Sequence, residues 1–424
     1  MRCEIVAVGT ELLLGQIVDT NSAWIGEQLA LAGIDCHRHT AVGDNRDRML
    51  AAMGEALERS DAVIVTGGLG PTQDDITRDV IAELLGVGLV RDESLVARIE
   101  AVFGGRGRPM PANNLRQADV PVGARTIDQM PGTAPGLVCP VGAVSSADGD
   151  DSPKVMYAVP GVPWEMHQMV EGTILPDLKR RAGISSVIRS RTLRTWGRSE
   201  SGLAEDLADE IDRIDRDGGA TIAFLASGME GLKVRLTAKA ATDAEVDALL
   251  ADGEARVRAV AGPIVFGVDD QTMESVVLDL LVDQGLRLAT AESLTGGMIG
   301  TRLTEVPGSS RAFVGSIVAY DGGVKRSLLG VPDGPVVSEE AVVAMALGAC
   351  EQLRAEVSVA VTGVAGPDPQ EGQEPGTVWM ATCVDGEVEA VRTRWPFDRT
   401  RIRQFTVITV LDALRQRLLA RQVG

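Results

Sequence analysis

Two groups of residues in this chain have the types and spacing for chemistry. The first is the run Thr66-Gly67-Gly68-Leu69-Gly70-Pro71-Thr72-Gln73-Asp74-Asp75-Ile76-Thr77. Gly67, Gly68, Gly70 and Pro71 shape a tight turn after a buried strand. Backbone N–H groups in such a turn approach an anion closely, and the helix start that follows favours negative charge. Asp74 and Asp75 beside that cradle would repel a phosphate unless a cation stood between them. The pair therefore predicts a divalent metal ion, Mg²⁺ or similar, held by Asp74 and Asp75, and metal-assisted phosphate chemistry in which Asp75 is catalytic. The competing reading is a plain strand-to-helix turn with an aspartate near the N-cap.

The second group centres on Ser293, in Ala291-Glu292-Ser293-Leu294-Thr295-Gly296-Gly297. A serine between a strand end and a glycine-rich helix start is well placed as a nucleophile, with backbone N–H groups near for an oxyanion. It needs a base. The three histidines, His37, His39 and His167, all lie in the first part of the chain. Lys325, five residues after Tyr320, can take the serine proton if its pKa is lowered, with Tyr320 as relay. The competing reading makes Ser293 an N-cap and Lys325 a surface lysine. No cofactor is expected at this second site.

The elements that must position these residues alternate strand and helix. Residues 4–8, 34–40 and 62–65 read as strands, with helices over 21–31, 46–59 and 78–85 between and after them. A further strand over 155–159 runs into Pro160-Gly161-Val162-Pro163-Trp164-Glu165-Met166. Such alternation predicts βαβ units, a mostly parallel sheet and a ligand site beyond the strand ends, where Gly9-Thr10-Glu11 and Thr66-Gly67-Gly68 converge. His37 and His39 share one face of an exposed strand, and His167 is read as a helix surface residue. The basic run Gly104–Pro109 can be read as reaching over a phosphate or, equally, as a solvated loop, and the polar stretch Ser145–Pro153 is read as a loop. From residue 171 to 262, acidic helical patterns over 201–213 and 243–260 flank short strands over 221–224 and 232–238, a small α+β unit without a catalytic constellation. From 263 onward a second α/β unit is predicted. Its strands cover 287–290, 317–320, 357–361 and 377–383, and Ser338 caps a helix reaching Arg354.

Composition bounds the rest. A chain of 424 residues suggests two or three domains. A net charge of −19 and 3% aromatic residues argue against a nucleic-acid partner. Five scattered cysteines without a C-x-x-C pair suggest a reducing compartment. No apolar run spans a membrane and the first strand starts at once, so a cytoplasmic protein is expected. The apolar helix Val342–Leu353 is expected to bury a face against a second copy, giving a homodimer.

Taken together, the ordered motifs resemble the CinA family, the competence/damage-inducible proteins, over essentially the full length. The marks include residues 9–21 (GTELLLGQIVDTN), 41–45 (AVGDN), the TGGLGPTQDDIT run, Asn113-Asn114, residues 160–166 (PGVPWEM), 291–297 (AESLTGG), 306–310 (VPGSS), 362–367 (TGVAGP) and 376–379 (GTVW). The resemblance implies a three-layer α/β/α molybdopterin-binding-like domain over 1–170, a small KH-like α+β domain over 171–262 and a deamidase-like α/β domain over 263–424. It implies metal-dependent hydrolysis of the diphosphate of ADP-ribose or an NAD-related dinucleotide in the first domain. In the last it implies deamidation of nicotinamide mononucleotide, a pairing that belongs to pyridine-nucleotide recycling. The implied substrate contacts are Gly9, Thr10, Glu11, Asn21, Gly67, Gly68, Gly70, Pro71 and Thr72 in the first domain. In the last they are Ser309, Ser310, Thr362, Gly363, Gly366 and Arg403, with Ser310 toward the oxyanion and Arg403 toward the phosphate. Two departures stand out: Leu294 where the family often has Cys, and Asp321-Gly322-Gly323-Val324 where it often has Ser-Asn-Glu-Ala.

Overall fold

The computed structural model describes residues 1–105, 109–142, 152–226 and 228–423, so parts of the two loops expected at 104–109 and 145–153 lie outside the described residues. The chain forms two compact units, Met1–Arg189 with Lys239–Val246, and Ser190–Ala238 with Asp247–Gly424.

The first unit contains strands β1 (Arg2–Val8), β2 (Asp35–Val42), β3 (Ala62–Thr66), β4 (Leu89–Arg91), β5 (Asp119–Pro121), β6 (Arg125–Thr126), β7 (Leu137–Val141) and β8 (Lys154–Val159). β4 and β5 pair by themselves, and the other six form one sheet in the order β2-β1-β3-β8-β7-β6. The first four strands in that order are parallel and β7 and β6 are antiparallel. Both faces are covered, so these strands are apolar on both sides and alternate between two cores. Cys3, Ile5, Ala62, Ile64, Val155 and Tyr157 pack with Ile25 and Leu29 of helix Thr20–Leu31 and with Met166, Val170 and Leu178 of the helical run 163–182. Val6, Val8, Val63, Val65, Met156 and Ala158 pack with Met49 and Met53 of helix Arg46–Arg59 and Val80 and Ile81 of helix Thr77–Leu84. This is the three-layer α/β/α arrangement. His167 differs from expectation: it is half-buried and stacks on Trp24, ring centroids 3.8 Å apart.

Further along come β9 (Val187–Thr195), β10 (Thr221–Ala226), β11 (Leu232–Ala240) and β12 (Val265–Val268), a small sheet in the order β10-β11-β9-β12. Its acidic helix breaks in two, Glu200–Asp206 and Ala208–Asp217, with Leu207 buried at the break. The last sheet has β13 (Leu288–Glu292), β14 (Phe313–Val318), β15 (Val357–Gly363), β16 (Thr377–Val384) and β17 (Glu387–Arg394), in the order β14-β13-β15-β16-β17. β14, β13 and β15 are parallel, and β16 and β17 antiparallel.

One face of this sheet carries large residues, Leu288, Val357, Val359 and Val361, against helices Met273–Asp283 and Arg399–Val423. The other carries small ones, Ala289, Ala291, Ala360 and Ala381, against helix Glu339–Leu353. Ser338 caps that helix by accepting from the Ala341 N–H at 3.1 Å. Its apolar residues Ala341, Val342, Met345, Ala346 and Ala349 are buried in its own domain. The reason given for a homodimer is thereby removed, because the alanine-rich sheet face already takes the stripe reserved for a twin. Among the described residues no helix is long and apolar enough to cross a membrane.

Candidate functional site

Strand order creates two crevices. In each parallel set the first strand, β1 or β13, has its next neighbours in sequence on opposite sides, and the loops beyond those strand ends diverge. Gly9 and Gly67 follow β1 and β3; Ser293 and Val364 follow β13 and β15.

The first crevice, about 380 Å³, is lined by Gly9, Glu11, Asp44, Gly67, Gly68, Gly70, Pro71, Asp74, Asp75 and the Pro160–Val162 turn. Gly67 has φ +104°, and a Cβ there would stand 2.2 Å from the Val8 carbonyl oxygen. Only glycine lets the two strand ends pass so closely. Buried Arg78 holds the loop from beneath, donating to the Leu69 carbonyl at 2.8 Å and the Gly70 carbonyl at 2.9 Å. Burial pushes its pKa down to about 10. Gln117, bonded to Asn114, donates to the Leu69 carbonyl as well. Among the described residues the N–H groups of Gly68, Leu69 and Gly70 have no protein acceptor, the property an anion cradle needs. Asn21 spends its amide on the Thr66 hydroxyl (3.2 Å) and the Gly161 carbonyl (2.8 Å), tying β3 to the turn after β8. Thr10 donates its N–H and hydroxyl to Asp44, both at 2.8 Å.

The expected metal site is not supported. Asp75 Oδ2 accepts the Thr72 N–H at 2.8 Å and the Thr72 hydroxyl, so this carboxylate braces the turn. Asp74 is exposed, and Asp44 is engaged by Thr10. Among the described residues no three His, Cys, Asp or Glu side chains come together to hold a metal ion. Adjacency in sequence misled here because the turn takes one of the two carboxylates for itself.

The second crevice, about 310 Å³, is lined by Ser293, Leu294, Tyr320, Lys325, Val337, Gly363, Val364, the loop from Ala365 to Gln370 and Arg399. Ser293 is 5% exposed, and its N–H donates to the Val361 carbonyl at 3.0 Å. It is not the helix cap. The preceding residue, fully buried Glu292, does that work. Its carboxylate accepts from the Thr295 hydroxyl (2.7 Å), the N–H groups of Gly297, Ile299 and Gly300 (3.0, 3.0 and 2.9 Å) and the Ser316 hydroxyl (3.0 Å). These are the N–H groups a helix start leaves without partners. Nor is Lys325 a surface residue. It is 2% exposed, and its Nζ donates to the Thr362 hydroxyl at 3.2 Å rather than to Ser293. Thr362 in turn donates to the Val336 carbonyl at 2.7 Å. Burial pushes the Lys325 pKa down to about 8, with the charges of Glu371 and Asp321 opposing part of the fall.

Tyr320 stands beyond the end of β14, 62% exposed, where its hydroxyl accepts from Arg399 Nη2 at 3.0 Å. Arg399 Nη1 donates to the Gly366 carbonyl at 2.9 Å. Three expected contacts, Arg403, Ser309 and Ser310, sit elsewhere. Arg403 spends its guanidinium on the Leu294 carbonyl (2.9 Å) and the Thr295 carbonyl (2.8 Å), so it holds the turn after Ser293 and does not line the crevice. Ser309 and Ser310 form the turn Ser309–Arg311 before β14. β14 is parallel to β13, so that turn lies at the opposite sheet edge from Ser293. Glu292 carried one local signal, an acidic residue closing a buried strand before Gly-Gly. Arg399 carried none.

Comparison with known proteins covers nearly all of the chain. Residues 4–180 match the "Probable molybdopterin binding domain", 190–267 the "Damage-inducible protein CinA KH domain" and 270–418 the "CinA C-terminal domain". A CinA-like protein of Frankia casuarinae is 46% identical over 428 residues, 99% of this chain and 96% of that protein. A CinA-like protein of Gloeobacter violaceus is 42% identical over 427 residues, 98% of this chain and 96% of that protein. The crystal structure of CinA from Thermoplasma acidophilum is 35% identical with a TM-score of 0.37, covering 42% of this chain and 99% of that one.

Proposed function

The chain belongs to the CinA family, and we propose that its C-terminal crevice hydrolyses the carboxamide of nicotinamide mononucleotide. The observation that carries this reading is Lys325: a buried amine with its pKa brought to about 8, in the same crevice as Ser293. A lysine in that state is part neutral near neutral pH and can accept a proton. In the proposed reaction Ser293 Oγ attacks the amide carbon while Lys325 Nζ takes the hydroxyl proton. The tetrahedral oxyanion is received by backbone N–H groups of the turn after Ser293, since Ser310 is at the far edge. Collapse breaks the C–N bond, and the proton on Lys325 passes to the leaving ammonia. Water then cleaves the acyl-serine ester, giving the carboxylate and restoring Ser293. Tyr320, held by Arg399, stands at the mouth and assists the proton transfer.

At the N-terminal crevice we place a phosphate of an ADP-ribose-type nucleotide on the Gly68–Gly70 backbone, where the Thr72 donors offset the charge of Asp75 and Asp74 is screened by solvent, so that no cation need stand between them. Among the described residues no lysine or arginine side chain lines this crevice, which leaves the Gly68–Gly70 N–H groups as its anion donors there. Hydrolysis there rests on the family resemblance alone. Mass-spectrometric product analysis on nicotinamide mononucleotide and ADP-ribose, with Ser293→Ala as control, tests both assignments. Ammonia release by the wild type and none by Ser293→Ala is the expected result. No release by the wild type ends the deamidase reading.

A further inference from the structure

Aromatic residues are scarce in this chain: five Trp, two Tyr and six Phe among 424. Four of them meet at one place in the second unit. The Phe405 ring centroid lies 5.4 Å from that of Trp196, 6.2 Å from Trp395 and 4.9 Å from Phe397. Trp196 follows β9, Trp395 and Phe397 follow β17, and Phe405 is on the helix Arg399–Val423. Trp196, Trp395 and Phe405 wall a cleft of about 570 Å³, larger than either crevice described above. A seam that served packing alone would close on its rings. Here Trp196, Trp395 and Phe405 are each only partly buried. The Phe405 ring plane is tilted by 51° from that of Trp196 and by 55° from that of Trp395. Gly231, also in the lining, lets its backbone pass close to the end of β9, since a Cβ there would stand 2.2 Å from the Thr195 carbonyl oxygen.

The polar lining defines the ligand further. Thr393, Thr409, Ser199 and Glu200 line the cleft. Among the described residues that line it, Arg198 is the basic one, and its guanidinium donates to both carboxylate oxygens of Asp206, at 2.9 and 2.8 Å. A phosphate would have to compete with Asp206 for that cation. An uncharged ring system would not: it stacks on indole whatever its hydrogen-bonding edge. The volume suits a nucleoside. We propose that this cleft is a binding site for an uncharged planar heterocycle of nucleoside size, separate from both crevices and independent of the amide hydrolysis proposed above.

The test titrates the full chain with adenosine and reads binding twice, by saturation-transfer NMR on the purine protons and by quenching of indole fluorescence. Two variants locate the site. Trp395→Leu removes one stacking face and Thr409→Phe fills the space. Saturable binding that weakens about tenfold or more in both, with unchanged thermal midpoints, is the expected result. Should one variant fail to fold, the other decides alone. No saturable binding up to millimolar adenosine overturns the proposal. Binding that persists undiminished in a folded variant belongs to another crevice and overturns it equally.

Discussion

Arg399 and Tyr320 are 79 residues apart in the chain and meet through one hydrogen bond of 3.0 Å. The same guanidinium holds the Gly366 carbonyl. One side chain therefore fixes both a side chain at the mouth of the crevice and the loop that closes it. Arg399→Ala is predicted to lower kcat for amide hydrolysis about 100-fold, with unfolding midpoints nearly unchanged because the pair is exposed. Arg399→Lys keeps the charge without the fork and should recover only part. Ammonia release under saturating substrate measures both, and wild-type turnover in the alanine variant would refute the role.

Lys325 sets a pH dependence. In the proposed reaction its neutral form is the base, so kcat/KM should rise with pH along a single ionisation near 8. A profile flat from pH 6.5 to 9.5 would remove Lys325 from the reaction.

The same shift affects stability. The Lys325 pKa is about 8 in the folded chain against an ordinary 10.5. Between those values the unfolded chain binds more protons, so stability rises as pH climbs through that window, and the full penalty applies below it. Lys325→Met should abolish hydrolysis yet stabilise the protein at pH 7, on the order of 1–3 kcal/mol. Denaturant titrations at pH 7 and pH 10 measure the gain, which should shrink at the higher pH. A variant less stable than wild type at pH 7 contradicts the argument.

Glu292 predicts the opposite balance. Its carboxylate accepts from six donors, and Glu292→Ala leaves them without this acceptor. A loss of about 3 kcal/mol or more is expected, with activity falling because the Ser293 turn loosens. Urea unfolding of the second unit reads it, and a change below about 1 kcal/mol would show that water replaces the carboxylate.

Asp75 is predicted to matter as a turn brace. Asp75→Ala should cost about 1 kcal/mol, and a chelator should leave the wild-type unfolding midpoint where it was. A midpoint that drops on chelation would restore the metal.

Both strand-and-turn frameworks were legible in the sequence because their signals are local. Ala62–Val65 into Gly67-Gly68, and residues 287–290 into Glu292-Ser293, each lie within a dozen residues, and the structure has the strands at 62–66 and 288–292. The side chains that hold the sites are another matter. Arg78 reaches back to Leu69, and Arg403 reaches Leu294 across 109 residues. No periodicity encodes such a reach. Ser309 and Ser310 share a motif with the crevice in sequence terms only, since the direction of β14 decides which sheet edge they occupy. The paired aspartates failed for a local reason, the Thr72 hydrogen bonds, that residue types alone do not reveal.

Arg403 also imposes an order of assembly. Ser293, Tyr320 and Lys325 all leave the ribosome well before the helix Arg399–Val423, whose residues Arg399 and Arg403 hold the tyrosine and the nucleophile turn. A nascent chain that has emerged through β17 thus carries every group proposed for the chemistry and neither of these two clamps. Competence at this crevice is conferred late in synthesis, so a chain cut before Arg399 keeps the reactive side chains but loses what sets them in place.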